Sequence, residues 1–234
     1  MELAKPIMKT TNPIIPMLSS RQPLTGLFAI VATCLITGCS DPADKVSKSA
    51  TTEPKEAAKP TAVTGKDYVI RAESTIGFVG SKVTGSHNGG FKKFAGKVNA
   101  AGGAVTATEV KIAMTSTWAD NSKLTGHLQS PDFFDVAKFP TAGFTLTSIK
   151  PAETQSTVTG NLDLHGVNKS ITFPATIQVA DDAVTLKAEF AINRKDFNIN
   201  YPGKVDDLIR DHVVLKLDIK ATLGEARPED QLGN

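Results

Sequence analysis

The chain has 234 residues, of which 40% are hydrophobic and 21% charged, with a formal net charge of +2. That is enough for one large β-domain or two small ones, at the composition of an ordinary globular protein. Residues 1–38 hold Lys5, Lys9 and Arg21 against Glu2; taking these from the 26 basic and 24 acidic residues leaves 23 of each. The remaining chain is therefore neutral, which excludes a global field steering it to nucleic acid or to an anionic membrane.

At the N-terminus, Leu24–Gly38 is an uncharged, mostly apolar run of 15 residues behind Arg21. It suits an export signal and is too short for an ordinary spanning helix. The initiator is open between Met1, Met8 and Met17. Ile36-Thr37-Gly38-Cys39 resembles the bacterial lipobox. The resemblance implies cleavage before Cys39 and three acyl chains on that residue, beyond the two signals that stable anchoring needs. Cys34 lacks the small residue before it and lies inside the apolar run, so it is set aside. Ser40, not Asp, follows Cys39, which favours the outer membrane, facing the periplasm. The rival reading is a plain secretory signal cut elsewhere. With Cys39 acylated, no thiol remains for a disulfide, and packing alone must stabilise the fold. The organisation expected is a signal over 1–38, a lipidated Cys39 and flexible tether over 39–66, one β-domain over 67–224 and a loose tail over 225–234. The tether lacks aromatics and is rich in Pro, Ala, Lys, Thr and Glu, a composition that cannot order itself.

From residue 67 onward the pattern is period two. A strand sends successive side chains to opposite faces, so alternation of apolar and polar residues marks one greasy and one wet face. Strands are predicted over Asp67–Ala72, Thr75–Val83 (carrying Phe78) and Phe91–Ala101, with a turn at Ser86–Gly90 between the last two and another at Gly102-Gly103. Glu109–Ser116 follows, with Val110, Ile112 and Met114 on one parity. Trp118–Ser130 breaks the alternation: Asn121–Leu128 fits a short helix, and Pro131–Asp135 a helix start or tight turn bearing Phe133 and Phe134. Thr141–Ile149 carries Phe144 and Leu146, Gln155–His165 carries Leu162 and Leu164, and Lys169–Val179 carries Phe173. Pro174 cannot donate to a ladder, so an edge or bulge is expected there. Ala183–Ile192 carries Phe190 and Ile192, Val205–Asp211 reads as a short helical turn, and His212–Thr222 carries Leu215 and Leu217. The two irregular stretches are the candidates for a lid or plug.

Many such strands with few amphipathic helices must hide their greasy faces in a sandwich or a barrel. A barrel of about eight strands can be filled by side chains or can hold one small ligand. Phe78, Ile112, Met114, Phe133, Phe134, Phe144, Leu146, Leu162, Leu164, Phe173, Phe190, Ile192, Leu215 and Leu217 are the candidate cavity lining. Arg194 and Arg210 are candidates for meeting a head group. His87, His127, His165 and His212 lack partners at metal-site spacing, so no metal is expected. There is no G-x-S-x-G elbow. Gly90–Val98 superficially matches a phosphate loop, but it has the wrong spacing and Val where a hydroxyl is needed.

Four stretches carry a family likeness. Gly126-His127-Leu128-Gln129-Ser130-Pro131-Asp132-Phe133-Phe134-Asp135 with Lys138-Phe139-Pro140, Gly160–Lys169, Asn193–Ile199 and Phe91-x-x-Phe94-x-Gly96 together resemble the YceI-like family over roughly residues 67–222. Asn198 stands where Gly is usual. The resemblance implies a lipocalin-like antiparallel barrel that binds polyisoprenoids or other long apolar chains. The fold class expected is thus all-β, a single antiparallel barrel with one or two short helices. The function expected is a periplasm-facing lipoprotein that carries or stores an apolar chain, with no enzyme activity and no cofactor. Its partners are an apolar small molecule and, through Cys39, a membrane; the oligomeric state is left open. The alternatives are an envelope stress or scaffold protein with a filled barrel, or an isoprenoid- or quinone-modifying enzyme using His127, His165 or the Asp206–His212 cluster at the cavity mouth.

Overall fold

Alternation commits every strand to one apolar face, and the chain satisfies all of them at once by closing a ring. The computed structural model describes residues 40–57, 65–227, 230 and 232. The export-signal reading of residues 1–38 and the acylation of Cys39 lie outside these residues. In chain order the elements are β1 (Ser47–Lys48), β2 (Ala50–Thr52), β3 (Lys66–Ile70), β4 (Thr75–Lys82), β5 (Gly85–Phe91), β6 (Phe94–Ala101), β7 (Ala104–Ala113), β8 (Thr117–Ala119), α1 (Ser122–Gln129), β9 (Thr141–Lys150), β10 (Ser156–Leu164), β11 (Val167–Val179), β12 (Ala183–Asn193), β13 (Gly203–Lys204), β14 (Asp207–Leu208) and β15 (His212–Leu223). β3 with β4, β5 with β6, and β7 with β8 are broken halves of three long staves. Together with β9, β10, β11, β12 and β15 they form an eight-stave, up-and-down antiparallel barrel, closed where β15 pairs with β12 on one edge and with β3 and β4 on the other.

The breaks in the staves are local. Between β3 and β4 the backbone leaves the ladder, and Ser74 Oγ stands in for it, accepting from Lys220 N at 3.0 Å and donating to Lys220 O at 3.1 Å. On β9 an extra residue bulges opposite Thr159/Gly160, so the inward parity passes from Phe144 and Leu146 to Ile149. The turn expected at Ser86–Gly90 is instead the body of β5. Asn88 and Gly89 sit in a strand because a Cβ at Gly89 would come 2.3 Å from the Phe78 ring, so the missing side chain makes room for Phe78. The helical turn expected over Val205–Asp211 is instead the β13–β14 hairpin, entered through Gly203 at φ 85°. The expected helix is α1, capped by Asn121, whose side chain accepts from Leu124 N. The Gly102-Gly103 turn has φ of 59° and 78°.

One barrel end has short turns at Gly102-Gly103, 151–155 and 180–182. The other, the loop end, carries Val83-Thr84, α1 with residues 130–140, and the loop 194–211. At this end β11 and β12 part. Their ladder covers only Thr176–Val179 against Val184–Lys187 and stops next to Pro174, which has no N–H to give.

The stretch expected as a free tether fills that split. β1 runs parallel to β12 at Phe190 and Ala191, and β2 runs antiparallel to β11 over Ser170–Thr172. Asn161 of β10 then holds both backbone groups of Lys55, at 2.9 and 2.6 Å. Ala43 and Val46 cover Val79, Ala191 and Val214, apolar residues on the outer face of the barrel. The composition argument failed because the segment needs no core of its own: it borrows two open strand edges and a ready-made apolar patch. The described residues of the tail are likewise tied down. Arg71 Nη1 donates to Glu225 O at 3.1 Å and to the fully buried Asp230 carboxylate at 2.7 Å, which Arg227 also holds at 2.9 Å.

Ala43→Lys puts a charge into the Val79–Ala191–Val214 contact and should release the strap. Amide exchange at Ser49, whose N–H is held by Ala191 O at 2.7 Å, is expected to speed by about tenfold, with the β12–β15 amides unchanged. The Asp230 carboxyl is held well below the ordinary carboxylate range, first by the Arg227 bond and then by Arg71, against the opposing effect of burial. A lowered folded pKa gives stability that is complete above the unfolded value near 4 and is lost as pH falls below it. Asp230→Asn should cost about 3 kcal/mol at pH 7, and the gap to the parent in urea unfolding should narrow below pH 4.

Candidate functional site

Because the inward side chains along the middle of the staves are almost all apolar, the barrel axis is a hydrocarbon environment. It is not solid. One chamber of about 130 Å³ is lined by Ile70, Ile76, Val98, Val105, Thr108, Val110, Ile112, Phe144, Leu146, Ile149, Val158, Leu162, Ile171, Phe173, Ile177, Val184, Leu186, Phe190, Leu215, Leu217 and Ile219. Thr108 is its one polar residue. A second chamber of about 140 Å³, toward the loop end, is lined by Ile76, Phe78, Gly80, Phe91, Ile112, Leu128, Phe133, Phe134, Ala142, Leu162, Leu164, Ile192, Arg194, Ile199, Ile209, Val213 and Leu215. Each is about the size of a cavity that stays dry and accepts a benzene ring. Ile76, Ile112, Leu162 and Leu215 line both and form the waist between them.

Aromatic rings build the walls. Phe173 of β11 and Phe190 of β12 stack at 4.1 Å with an interplanar angle of 6°, bridging from inside the split that β1 and β2 cover from outside. Phe78, Phe91 and Phe134 form a triangle with centroids 5.8 to 6.4 Å apart. The close approach of Phe144 to β10 is allowed because position 160 is Gly; a Cβ there would lie 2.2 Å from its ring. The irregular stretch after β8 is the plug of the loop end: Leu128 of α1, Phe133 and Phe134 close the second chamber together with Ile199 and Ile209. Beyond Glu109↔Thr145 the ladder between β7 and β9 ends, so Val105 and Thr108 face Leu146 and Ile149 without backbone pairing, a seam that opens on the first chamber.

Among the described residues Arg194 is the one charged residue in either lining. It is 4% exposed. Its Nε donates to Arg210 O at 3.1 Å, Nη1 to Ile199 O at 2.5 Å and Nη2 to Ile209 O at 3.3 Å, with Asp211 at 3.6 Å. Burial lowers its pKa, and Asp211 opposes that shift. Five N–H donors meeting three carbonyls leave capacity for a further oxygen. The guanidinium thus staples the 194–211 loop and places a positive charge at the end of an apolar hollow.

Of the residues singled out in the sequence, Ile112, Phe144, Leu146, Leu162, Phe173, Phe190, Leu215 and Leu217 line the first chamber. Phe78, Phe133, Phe134, Leu164, Ile192 and Arg194 line the second, with Ile112, Leu162 and Leu215 shared. Two expectations are corrected. Met114 is buried, but it falls in the 3-10 turn between β7 and β8, where the alternation ends, and it lines neither chamber. Arg210 does not join Arg194 inside. Its side chain lies outside the barrel, 3.7 Å from Asp41, on the same parity as Val214, which the strap covers from outside. Ile70, Ile76, Val98, Val110 and Val158 were missed among the lining, although their strand parity marks them. Ile199 and Ile209 lie in a loop with no periodic signal. His127 packs on Phe133 and Tyr201 and meets Asp132 at 2.7 Å, and His165 packs on Phe139. Among the described residues no His, Asp, Glu, Ser or Cys lines either chamber, and none gather into a cluster of three metal-ligand side chains.

A closed up-and-down barrel around an apolar hollow, plugged at one end by a helix and loops, defines a lipocalin-like barrel. The YceI-like domain profile matches residues 68–221, and the chain belongs to that family. A UPF0312 protein of Pseudomonas fluorescens is 33% identical over 156 residues, covering 60% of this chain and 80% of the relative. A UPF0312 protein of Pseudomonas syringae pv. syringae is 35% identical over 152 residues, covering 58% and 78%. Among solved structures, Burkholderia cenocepacia BcnA superposes with a TM-score of 0.59 at 25% identity, over 64% of this chain and 98% of that one. A polyisoprenoid binding domain from Saccharophagus degradans, implicated in plant cell wall breakdown, shares the fold with a TM-score of 0.56 at 17% identity, over 69% and 100%.

Ile112→Trp should fill the waist from both sides. An apolar fluorescent probe that binds the parent is expected to bind the variant at least about tenfold more weakly, against an overpacking cost of about 1–3 kcal/mol in urea unfolding. Titration of the probe into both proteins checks it.

Proposed function

We propose that this barrel binds a long apolar chain, a polyisoprenoid or fatty chain, along its axis and carries or stores it at the cell envelope. The observation that carries the reading is the pair of adjoining chambers with hydrocarbon walls and a single buried cation at one end. Each methylene removed from water contributes about 0.8 kcal/mol, so apolar contact alone supplies affinity. A chain longer than the two chambers extends through the unpaired seam between β7 and β9. The Saccharophagus degradans domain of the same fold is described as polyisoprenoid binding, which supports the same ligand class here. The remaining donor capacity of Arg194 suits a carboxylate, phosphate or carbonyl oxygen at the head of the chain. The lipobox at Ile36–Cys39 supports an acylated, periplasm-facing protein anchored in the outer membrane. The absence of acid–base groups from the lining supports binding in preference to catalysis.

Organic extraction of the purified protein followed by mass spectrometry tests the ligand. A reproducible prenyl or fatty species is expected; a barrel that is empty and ignores added prenyl lipid contradicts the reading. In probe displacement, a fatty acid should outcompete the alkane of equal length by about tenfold if Arg194 receives the head group.

A further inference from the structure

Among the described residues five large apolar side chains are exposed, and three of them share one place. Val83 is 53% exposed, Val205 97% and Leu208 50%. Val83 caps the β4–β5 turn, and Val205 and Leu208 belong to the β13–β14 hairpin beside it. The two tips are fastened together: Val83 N donates to Leu208 O at 3.2 Å, Lys82 pairs with Ile209 across an isolated bridge, and the Lys82 ammonium meets the Asp207 carboxylate. They therefore form one surface at the loop end.

The strap begins at this same place. Asp41 accepts from Ser81 Oγ at 3.3 Å and lies 3.7 Å from Arg210, while Arg210 N donates to Ser81 O at 2.9 Å. Ser81 is two residues from Val83, and Arg210 two from Leu208. Consecutive Cα atoms are about 3.8 Å apart, so residue 39 is tied within about 8 Å of Asp41. A free tether of 27 residues would leave orientation open. A docked strap does not: whatever holds residue 39 holds the loop end.

We propose that the Val83–Val205–Leu208 surface seats in a lipid bilayer, with the loop end turned to the membrane beside the anchor. The partner is the acyl region just below the headgroups. Apolar tips of this kind add insertion to a nearby lipid anchor. The neighbouring charges are of both signs, Lys82 and Lys204 beside Asp206 and Asp207, so headgroup charge has little part in it. The surface adjoins the second chamber in sequence: Gly80, two residues before Lys82, and Ile209, which follows Leu208, both line it. Seating the hairpin in the bilayer brings that chamber within one loop of the acyl chains the barrel is proposed to bind. The proposal rests on the anchor reading only for how the protein reaches the membrane.

The test supplies the anchor chemically, so that the two ideas fail separately. The full chain carrying Cys34→Ser and Trp118→Phe, kept unacylated, is coupled through the Cys39 thiol to a maleimide lipid. The vesicles are phosphatidylethanolamine containing dibrominated acyl chains. One indole is introduced by Val205→Trp or, at the short-turn end, by Ala152→Trp. Emission at position 205 is expected to fall at least about twofold, with position 152 unchanged and the result the same in phosphatidylglycerol vesicles. Adding Leu208→Asp should restore the emission at 205. Quenching at neither position, at both equally or at 152 alone overturns the proposal. So does quenching at 205 that survives Leu208→Asp, which assigns the proximity to the tether alone.

Discussion

A ring of strands leaves no edge only if its last member returns to its first, and here that duty falls on β15. It pairs with β12 over Ala183–Asn193 on one side, and on the other with β4 and then β3. Eleven consecutive register pairs to β12 fix which residues face inward. A slip of one would send Leu215 and Leu217 into water and Lys216 and Asp218 into the hollow. Every other feature follows from this closure: an inner face that is apolar by parity, a volume set by eight staves, and an axis from which water is excluded.

The closure is not uniform, and the gaps in it are instructive. β11 and β12 separate next to Pro174, and β7 and β9 separate beyond Glu109 and Thr145. The first gap is sealed twice, by the Phe173–Phe190 stack inside and by β1 and β2 outside. The second is left unsealed by backbone and borders the first chamber. The barrel thus has a mended seam near the plug and one at the short-turn end that backbone pairing leaves unclosed. Arg194 sits at the opposite end of the hollow from that second seam, so an amphiphile with its head at Arg194 has its tail directed toward it.

The barrel was legible because period two is the strongest signal a sequence carries, and nine of the predicted strands overlap real ones. Its exceptions were legible too, had they been read as such. Val79, Ala191 and Val214 are apolar on the wet parity, and they are the residues the strap covers. The strap itself was hidden, because its composition describes a chain that cannot fold alone and says nothing of edges that another part of the molecule leaves open. Asn88-Gly89 misled for a different reason: the dipeptide that makes hairpins also clears space, and only the position of the Phe78 ring distinguishes the two uses. Met114 was placed by extending parity past the end of a strand, where it no longer holds, and Arg210 by its charge alone, which says nothing of which way a loop residue faces. Ile199, Ile209 and the donor set of Arg194 depend on how a loop folds back, which no local pattern encodes.

The central claim is that a flexible hydrocarbon chain occupies the barrel axis and passes the waist. It is tested most directly by nuclear Overhauser contacts between a protonated fatty or prenyl chain and selectively protonated methyl groups in otherwise deuterated protein. Contacts from one bound chain to Leu164 in the second chamber, to Leu162 and Leu215 at the waist and to Val158 in the first are the result this account predicts. Contacts confined to outward methyls such as Val205, or none to the interior at saturating ligand, would contradict it.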